Sequence, residues 1–135
     1  MVADYYPKIE QISVLFWDLN NLKKINDKFG HAMGDKVIEK LSSALAAHSS
    51  DRCRVYRIGG DEFLMIIDAP EQEESETIIQ SIQEKLKADN ANSEIKVSSA
   101  VGFALGSGAD ILEVVKTADT RMYENKKCGK GGREG

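Results

Sequence analysis

Two glycines followed by two carboxylates, in Arg57-Ile58-Gly59-Gly60-Asp61-Glu62-Phe63, form the stretch of this chain best suited to chemistry. Adjacent acids repel by several kcal/mol, to order of magnitude, when both are desolvated at close range. They are tolerable in water, or where a cation compensates them. Apolar, β-rich runs, Cys53 to Ile58 and Phe63 to Ile67, flank the four residues, so the stretch reads as a hairpin tip. Gly59 and Gly60 are expected to supply positive φ angles there. On its own the motif also fits an exposed acidic turn. A further acid, Asp18, stands near the end of the apolar run Ile12 to Leu19. A carboxylate at the end of a buried strand calls for a cap, a basic partner or a metal ion. Capping competes with the other two, since Asn20 or Asn21 can equally start the helix that follows.

The elements that must position these acids follow from periodicity. Ile12 to Leu19 is nearly continuous apolar sequence and predicts a buried central strand. Leu22, Ile25 and Phe29 have helical spacing, and Gly30 closes that helix. A second helix is expected from about Gly34 to Ala47, followed by the hairpin and an acidic connection, Asp68 to Ser75. Ile78, Ile79, Ile82 and Leu86 predict a helix over Thr77 to Lys87, capped near Ser75 or Thr77. Alternation from Ile95 to Leu105 predicts a strand, and Asp110 is expected to cap a last helix reaching about Lys127. Residues 1–10 are weakly patterned, with Pro7 against a helix, and the tail from Gly129 should be loose. The order β-α-α-β-β-α-β-α predicts an α+β fold of the ferredoxin-like kind, a mostly antiparallel sheet flanked by helices. In such a sheet the end of the first strand lies beside the hairpin tip. Asp18, Asp61 and Glu62 are therefore expected to converge, and oxygen-only ligands favour Mg²⁺ or Mn²⁺ over zinc.

With 135 residues the chain predicts a single domain, and 41% hydrophobic with 30% charged residues is ordinary for a soluble globular protein. A net charge of -4 gives no basic footprint, which argues against nucleic acid as a partner. Cys53 and Cys128 lack metal-ligand spacing and read as reduced thiols of a cytoplasmic protein. No apolar run reaches membrane-spanning length and no signal-peptide pattern is present, so any membrane anchoring would lie outside this segment.

Three stretches together carry a family resemblance: Asp18-Leu-Asn-Asn-Leu-Lys-Lys-Ile-Asn-Asp27, Phe29-Gly-His-Ala-Met-Gly-Asp35 and the Gly-Gly-Asp-Glu-Phe63 segment. In that order, with Ala118-Asp119, Met122-Tyr123 and Lys126 in the last helix, the chain resembles the GGDEF-domain diguanylate cyclases, of nucleotidyl-cyclase palm fold. Members condense two GTP molecules into cyclic di-GMP with release of two pyrophosphates. The resemblance implies Asp18, Asp61 and the Leu19 carbonyl as ligands of Mg²⁺, with Mn²⁺ as an alternative. Asp61 is also the implied proton acceptor, and Glu62 a second-metal ligand or support. Lys23, Lys126 and Lys130 match phosphate-binding cations, joined by the N–H groups of Asn21 and Leu22 at a helix start. Asn26 and Asp35 match the pair that reads guanine, because a carboxylate accepts from guanine N1–H and the 2-amino group, which adenine lacks. His31 matches a substrate-site histidine. For each lysine a solvated surface role is the alternative, and for Asn26 and Asp35 it is helix capping.

The chain departs from the pattern at four points. Ser50 and Cys53 replace the Arg-x-x-Asp product-inhibition site, and Lys130 stands where Arg is common, losing bidentate geometry. Asn20 replaces a frequent Asp. Only 17 residues precede Asp18, so the family's opening segment is missing. That suggests a fragment of a longer regulated protein with an N-terminal sensory domain, or an atypical start. The resemblance further implies that turnover needs a homodimer, whereas the isolated chain is expected to be mainly monomeric. A GTP-binding regulatory module with weak turnover, signalling to a neighbouring domain, is the competing function.

Overall fold

The computed structural model describes residues 6–130, with side chains described as far as Lys127. Strand β1 (Ile12–Leu19) leads into helices α1 (Leu22–Phe29) and α2 (His31–Ala46). The hairpin β2 (Cys53–Arg57) and β3 (Glu62–Asp68) follows, then α3 (Glu74–Asn90), β4 (Ser99–Gly106) and α4 (Ile111–Lys130). The sheet order is β2-β3-β1-β4, and every neighbouring pair is antiparallel, as the ferredoxin-like reading requires.

All eight residues of β1 are buried, because the strand is central and covered on both faces. Side chains alternate between the faces. Leu15, Trp17 and Leu19 pack with Ile25, Leu41, Leu45 and Ile82 beneath α1 to α3. Val14 and Phe16 pack with Val114, Ala118 and Met122 of α4 on the other side. That helix lies directly on strand backbone. A Cβ at Gly102 would sit 2.1 Å from the Met122 nitrogen and 2.6 Å from the Ala118 carbonyl oxygen. Among the described residues no helix is long and apolar enough to cross a membrane.

The structure corrects the sequence reading in several places. Helix α2 begins at His31, immediately after Gly30, whose φ of 93° turns the chain between two helices without a loop. Helix α3 begins at Glu74 and runs to Asn90, beyond both predicted ends. Ile95 to Ser98 lies outside the strand, which begins at Ser99. There the Asn90 side chain accepts from the Val97 N–H and donates to the Val97 carbonyl, both at 2.8 Å, taking the place of a neighbouring strand. Asp110 caps nothing. Ser107 does so, its Oγ accepting from the Ala109 N–H at the one-turn 3₁₀ helix that precedes α4. Residues before β1 are not idle, since Tyr6 is fully buried in a second 3₁₀ turn, Tyr6–Lys8. Helix α4 runs to Lys130, past its predicted end near Lys127 and into the tail expected to be loose from Gly129; residues 131–135 lie outside the described residues.

Candidate active site

The end of β1 meets the hairpin tip, as the strand order demands. Asp18 lies directly across the ladder from Glu62, and the Leu19 N–H donates to the Asp61 carbonyl at 2.9 Å. Direct cross-strand partners share a sheet face, so Asp18 and Glu62 address the side covered by α4. From that helix Lys126 reaches down. Its ammonium lies 3.1 Å from Asp18 Oδ2 and donates to the Leu19 carbonyl at 3.2 Å. The pair is mostly shielded, with side-chain exposures of 22% for Lys126 and 13% for Asp18. Burial raises the Asp18 carboxyl to about 6, opposed by Lys126 and reinforced by the charges of Asp61 and Glu62.

The tip is held differently from expectation. Neither Gly59 nor Gly60 has a positive φ. The turn closes through Ile58 and Gly59 N–H groups donating to the Glu62 carbonyl at 2.9 and 3.3 Å. Arg57 supplies the clasp, its Nε donating to the Gly59 carbonyl at 3.1 Å and a terminal nitrogen to the Gly60 carbonyl at 2.8 Å. The absence of a side chain matters at Gly59 for another reason. A Cβ there would stand 2.9 Å from Glu62 Oε1, because the Glu62 carboxylate folds back over the turn.

The charges of Asp61 and Glu62 act on Asp18, but the three carboxylates do not close into a cluster. Among the described residues no three Asp, Glu, His or Cys side chains are close enough to hold a metal by themselves. Asp61 lies in the bend before the strand and Glu62 opens it. A smaller donor set nevertheless fits a hard divalent cation. Asp18 Oδ1 is buried without a hydrogen-bond partner, while Oδ2 and the Leu19 carbonyl already hold a cationic group. Mg²⁺ is commonly held by one or two carboxylates, with water and substrate phosphates completing the shell.

The remaining candidates fall into two groups. Asn26 and the segment bearing Asp35 come together at the corner between α1 and α2. Asn26 Oδ1 lies 1.7 Å from where a Gly34 Cβ would be, and it is buried with no partner. Asp35 and His31 are exposed on the first turns of α2. Lys23, by contrast, is not brought to the acids. Its side chain is 92% exposed and pairs with Asp27 at 3.6 Å, the carboxylate one helical turn on. Asn21 occupies the N-cap with φ 62° and ψ 21°, a conformation Asn tolerates, and makes no side-chain cap bond. The helix start at Leu22 is thus uncapped by any side chain. Asn20 turns away, donating through Nδ2 to Ser98 Oγ at 3.0 Å. The Lys130 side chain lies outside the described residues. At the predicted product-site positions, Ser50 Oγ accepts from the Arg52 and Cys53 N–H groups, both at 3.2 Å, and Cys53 is buried. Neither offers a cation to a phosphate.

Two contributors escaped the sequence reading. Arg57 could have been suspected from a basic residue two positions before a Gly-Gly turn. Gly34 carried no local signal, since its neighbour Asn26 belongs to another helix.

Comparison with known proteins identifies the family of the chain. The chain matches the family model described as diguanylate cyclase, GGDEF domain, over residues 4–132. It is 38% identical over 128 residues to the diguanylate cyclase DosC of Shigella sonnei, covering 88% of this chain and 27% of that protein. It is 34% identical over 125 residues to the cyclic di-GMP phosphodiesterase PdeR of Escherichia coli, covering 90% of this chain and 19% of that protein. Among solved structures it resembles the active GGEEF domain of a diguanylate cyclase from Vibrio cholerae. The TM-score is 0.78 at 26% identity, covering 89% of this chain and 79% of that one. The chain therefore spans only 27% and 19% of the two curated relatives' lengths. Matched along nearly its whole length, with Asp18 set against the Gly-Gly-Asp-Glu-Phe63 tip, the chain belongs to the diguanylate cyclase GGDEF-domain family.

Proposed function

We propose that this domain is a diguanylate cyclase half-site that binds one GTP and reacts it with a second GTP held by a facing copy. The observation carrying this reading is the buried Asp18 carboxylate, with one oxygen unpartnered and the other on a cation, beside the Asp61-Glu62 tip. Asp18, the Leu19 carbonyl and Asp61, with support from Glu62, would hold a divalent ion, Mg²⁺ or Mn²⁺, which would supply charge neutralisation at the phosphates. Asp61 accepts the proton of the 3′-hydroxyl. The 3′-oxygen then forms a bond to the α-phosphorus of the other nucleotide, the bond to pyrophosphate breaks, and the exchange is repeated in the opposite sense. Lys23, a long and exposed arm paired with the exposed Asp27, swings onto the phosphates together with Lys126 and Lys130. The uncapped start of α1, at Asn21 and Leu22, offers N–H groups to the same anion. At the α1–α2 corner Asn26 and Asp35 read guanine, and His31 borders the nucleotide. Adenine would leave Asp35 without its donors, so GTP is preferred over ATP.

Because each domain holds one nucleotide, turnover requires two domains face to face. Associating free chains costs several kcal/mol of translational and rotational freedom, and a preceding sensory domain would offset it by raising effective concentration. The test is incubation with GTP and Mg²⁺ and chromatographic resolution of products, with Asp61→Asn as control. Cyclic di-GMP from the unaltered chain and none from the folded variant is the expected result. Product from both would sink the role given to Asp61.

One observation favours a second reading, a GTP-binding regulatory module. A relative named as a phosphodiesterase, PdeR, contains a stretch that matches 90% of this chain. Nucleotide-dependent stabilisation without any product would select it.

A further inference from the structure

Lys126 and Asp18 were expected to serve different partners, phosphate and metal. In the structure they serve each other. The Lys126 ammonium sits on Asp18 Oδ2 at 3.1 Å and on the Leu19 carbonyl at 3.2 Å, which are two of the oxygens a divalent ion would need. Two cations held on the same pair of oxygens repel each other, so each weakens the binding of the other. An ion pair built only to stabilise the fold would satisfy the buried carboxylate, yet Oδ1 is left without a partner. The helix bearing Lys126 cannot withdraw, because Ala118 and Met122 are buried against Gly102 on strand backbone. Only the lysine arm, a flexible four-carbon stem, is free to leave.

Resting on the reading of Asp18 and Leu19 as divalent-cation ligands, we propose that Lys126 is a tethered counter-ion that occupies the cation position until nucleotide phosphates draw it away. In the nucleotide-free domain the ammonium offsets the buried Asp18 charge and competes with Mg²⁺. When a triphosphate arrives, Lys126 transfers to its oxygens, and the vacated Asp18 and Leu19 oxygens take the metal. Nucleotide and cation therefore bind with positive linkage, each strengthening the other by the same factor. The arrangement keeps the acids from being left bare between turnovers. It also keeps the site from holding metal when there is no substrate for the metal to serve.

The experiment uses Mn²⁺ alone as the probe, with free Mn²⁺ followed by electron paramagnetic resonance. Unaltered protein, Lys126→Gln and Asp18→Asn are compared with and without a non-hydrolysable GTP analogue. Without nucleotide, Lys126→Gln should bind Mn²⁺ at least tenfold more tightly than the unaltered chain, and Asp18→Asn should lose the site. Adding the analogue should tighten Mn²⁺ binding at least tenfold in the unaltered chain and much less in Lys126→Gln. Equal nucleotide-free affinities in the unaltered chain and Lys126→Gln, with the site lost in Asp18→Asn, would overturn the counter-ion while leaving the metal reading intact. Indifference of Mn²⁺ binding to Asp18→Asn would overturn both. A measurement on the unaltered chain guards against a variant that fails to fold. Amine acylation mapped by mass spectrometry should rise severalfold at Lys126 when Mn²⁺ is added and stay constant at the exposed Lys23. An unchanged Lys126 rate at saturating Mn²⁺ would overturn the proposal.

Discussion

Replacing Gly34 by Ala should weaken nucleotide binding while leaving the fold as stable as before. The new Cβ would stand 1.7 Å from Asn26 Oδ1 and 2.8 Å from its Cγ, and the first contact is about 1.3 Å short of the 3.0 Å floor that real Cβ atoms respect. The obstacle is the end of a flexible side chain, so the Asn26 amide will swing and the backbone will stay. Ala in place of Gly inside a helix gains about 1 kcal/mol. Moving Asn26 off its preferred rotamer costs about 0.5–1.5 kcal/mol. The two nearly cancel, and the urea midpoint should shift little. Base recognition has no such compensation. A lost Asn26 hydrogen bond and a displaced amide at the base together cost roughly 1.5–3 kcal/mol, or about 10- to 100-fold in affinity. The assay is calorimetric titration with a non-hydrolysable GTP analogue beside urea unfolding. Asn26→Ala should reproduce the affinity loss, and Gly34→Ala added to it should change affinity no further. The double variant should also be more stable than Asn26→Ala alone, since the clash is gone and the helix gain remains. Undiminished affinity in a folded Gly34→Ala protein would refute the base-reading role of Asn26. A loss of stability above about 3 kcal/mol would refute the claim that only a side chain stands in the way.

Gly102→Ala meets backbone instead, 2.1 Å from the Met122 nitrogen, and should destabilise by about 3 kcal/mol or more in urea unfolding. The Asp18 carboxyl, ordinarily near 3.8, is held at about 6 chiefly by burial, so its ionised form costs the folded state more than the unfolded one. Its contribution to stability is therefore favourable at low pH and lost as pH rises through that value. Of a full effect of roughly 3 kcal/mol, roughly 1.4 should be recovered on going from about pH 7.5 to about pH 5, and Asp18→Asn should lack the gain. Arg57→Ala frees the Gly59 and Gly60 carbonyls and should lower turnover at least tenfold, with a stability cost of about 1 kcal/mol read from the melting curve. Turnover per chain should rise with protein concentration and with fusion to a dimeric coiled coil. Turnover per chain that stays constant down to nanomolar monomer would refute the split site. Cyclic di-GMP added at low micromolar concentration should not inhibit, since Ser50 and Cys53 provide no cation, and tight calorimetric binding away from the GTP site would contradict this.

Much of the architecture was legible because it is written in short-range patterns. The apolar run of β1, the Gly-Gly hairpin and four helical patterns were enough to imply that Asp18 meets the tip, and the Asp18–Glu62 register bears this out. What stayed hidden depends on partners far apart in sequence. Lys126 reaches Leu19 across 107 positions. Period-two alternation over Ile95 to Ser98 is real, yet a strand needs a neighbour, and there Asn90 takes the neighbour's bonds. Tyr6 lies in a segment with no period at all, but its hydroxyl pairs with that of Tyr56 at 2.9 Å. Convergence of Asp18, Asp61 and Glu62 was expected from topology alone, which fixes which ends meet and says nothing about where two consecutive side chains aim.

The way α4 crosses β4 bears on how this domain travels between proteins. As the last strand of the sheet, β4 would present open backbone to any passing chain. Instead Asn125 accepts from the Val101 N–H at 3.1 Å, and Arg121 donates to the Phe103 carbonyl at 2.9 Å. At the opposite margin β2 is only five residues long and carries Arg54 and Arg57. A module with both margins blunted by its own side chains can be joined to unrelated neighbours without recruiting their strands. Such portability suits a domain whose relatives embed it in chains several times its length. It also has an evolutionary corollary. The helix that seals the margin is also the one that carries Lys126 to Asp18, so drift in its packing would both open the sheet edge and break that ion pair.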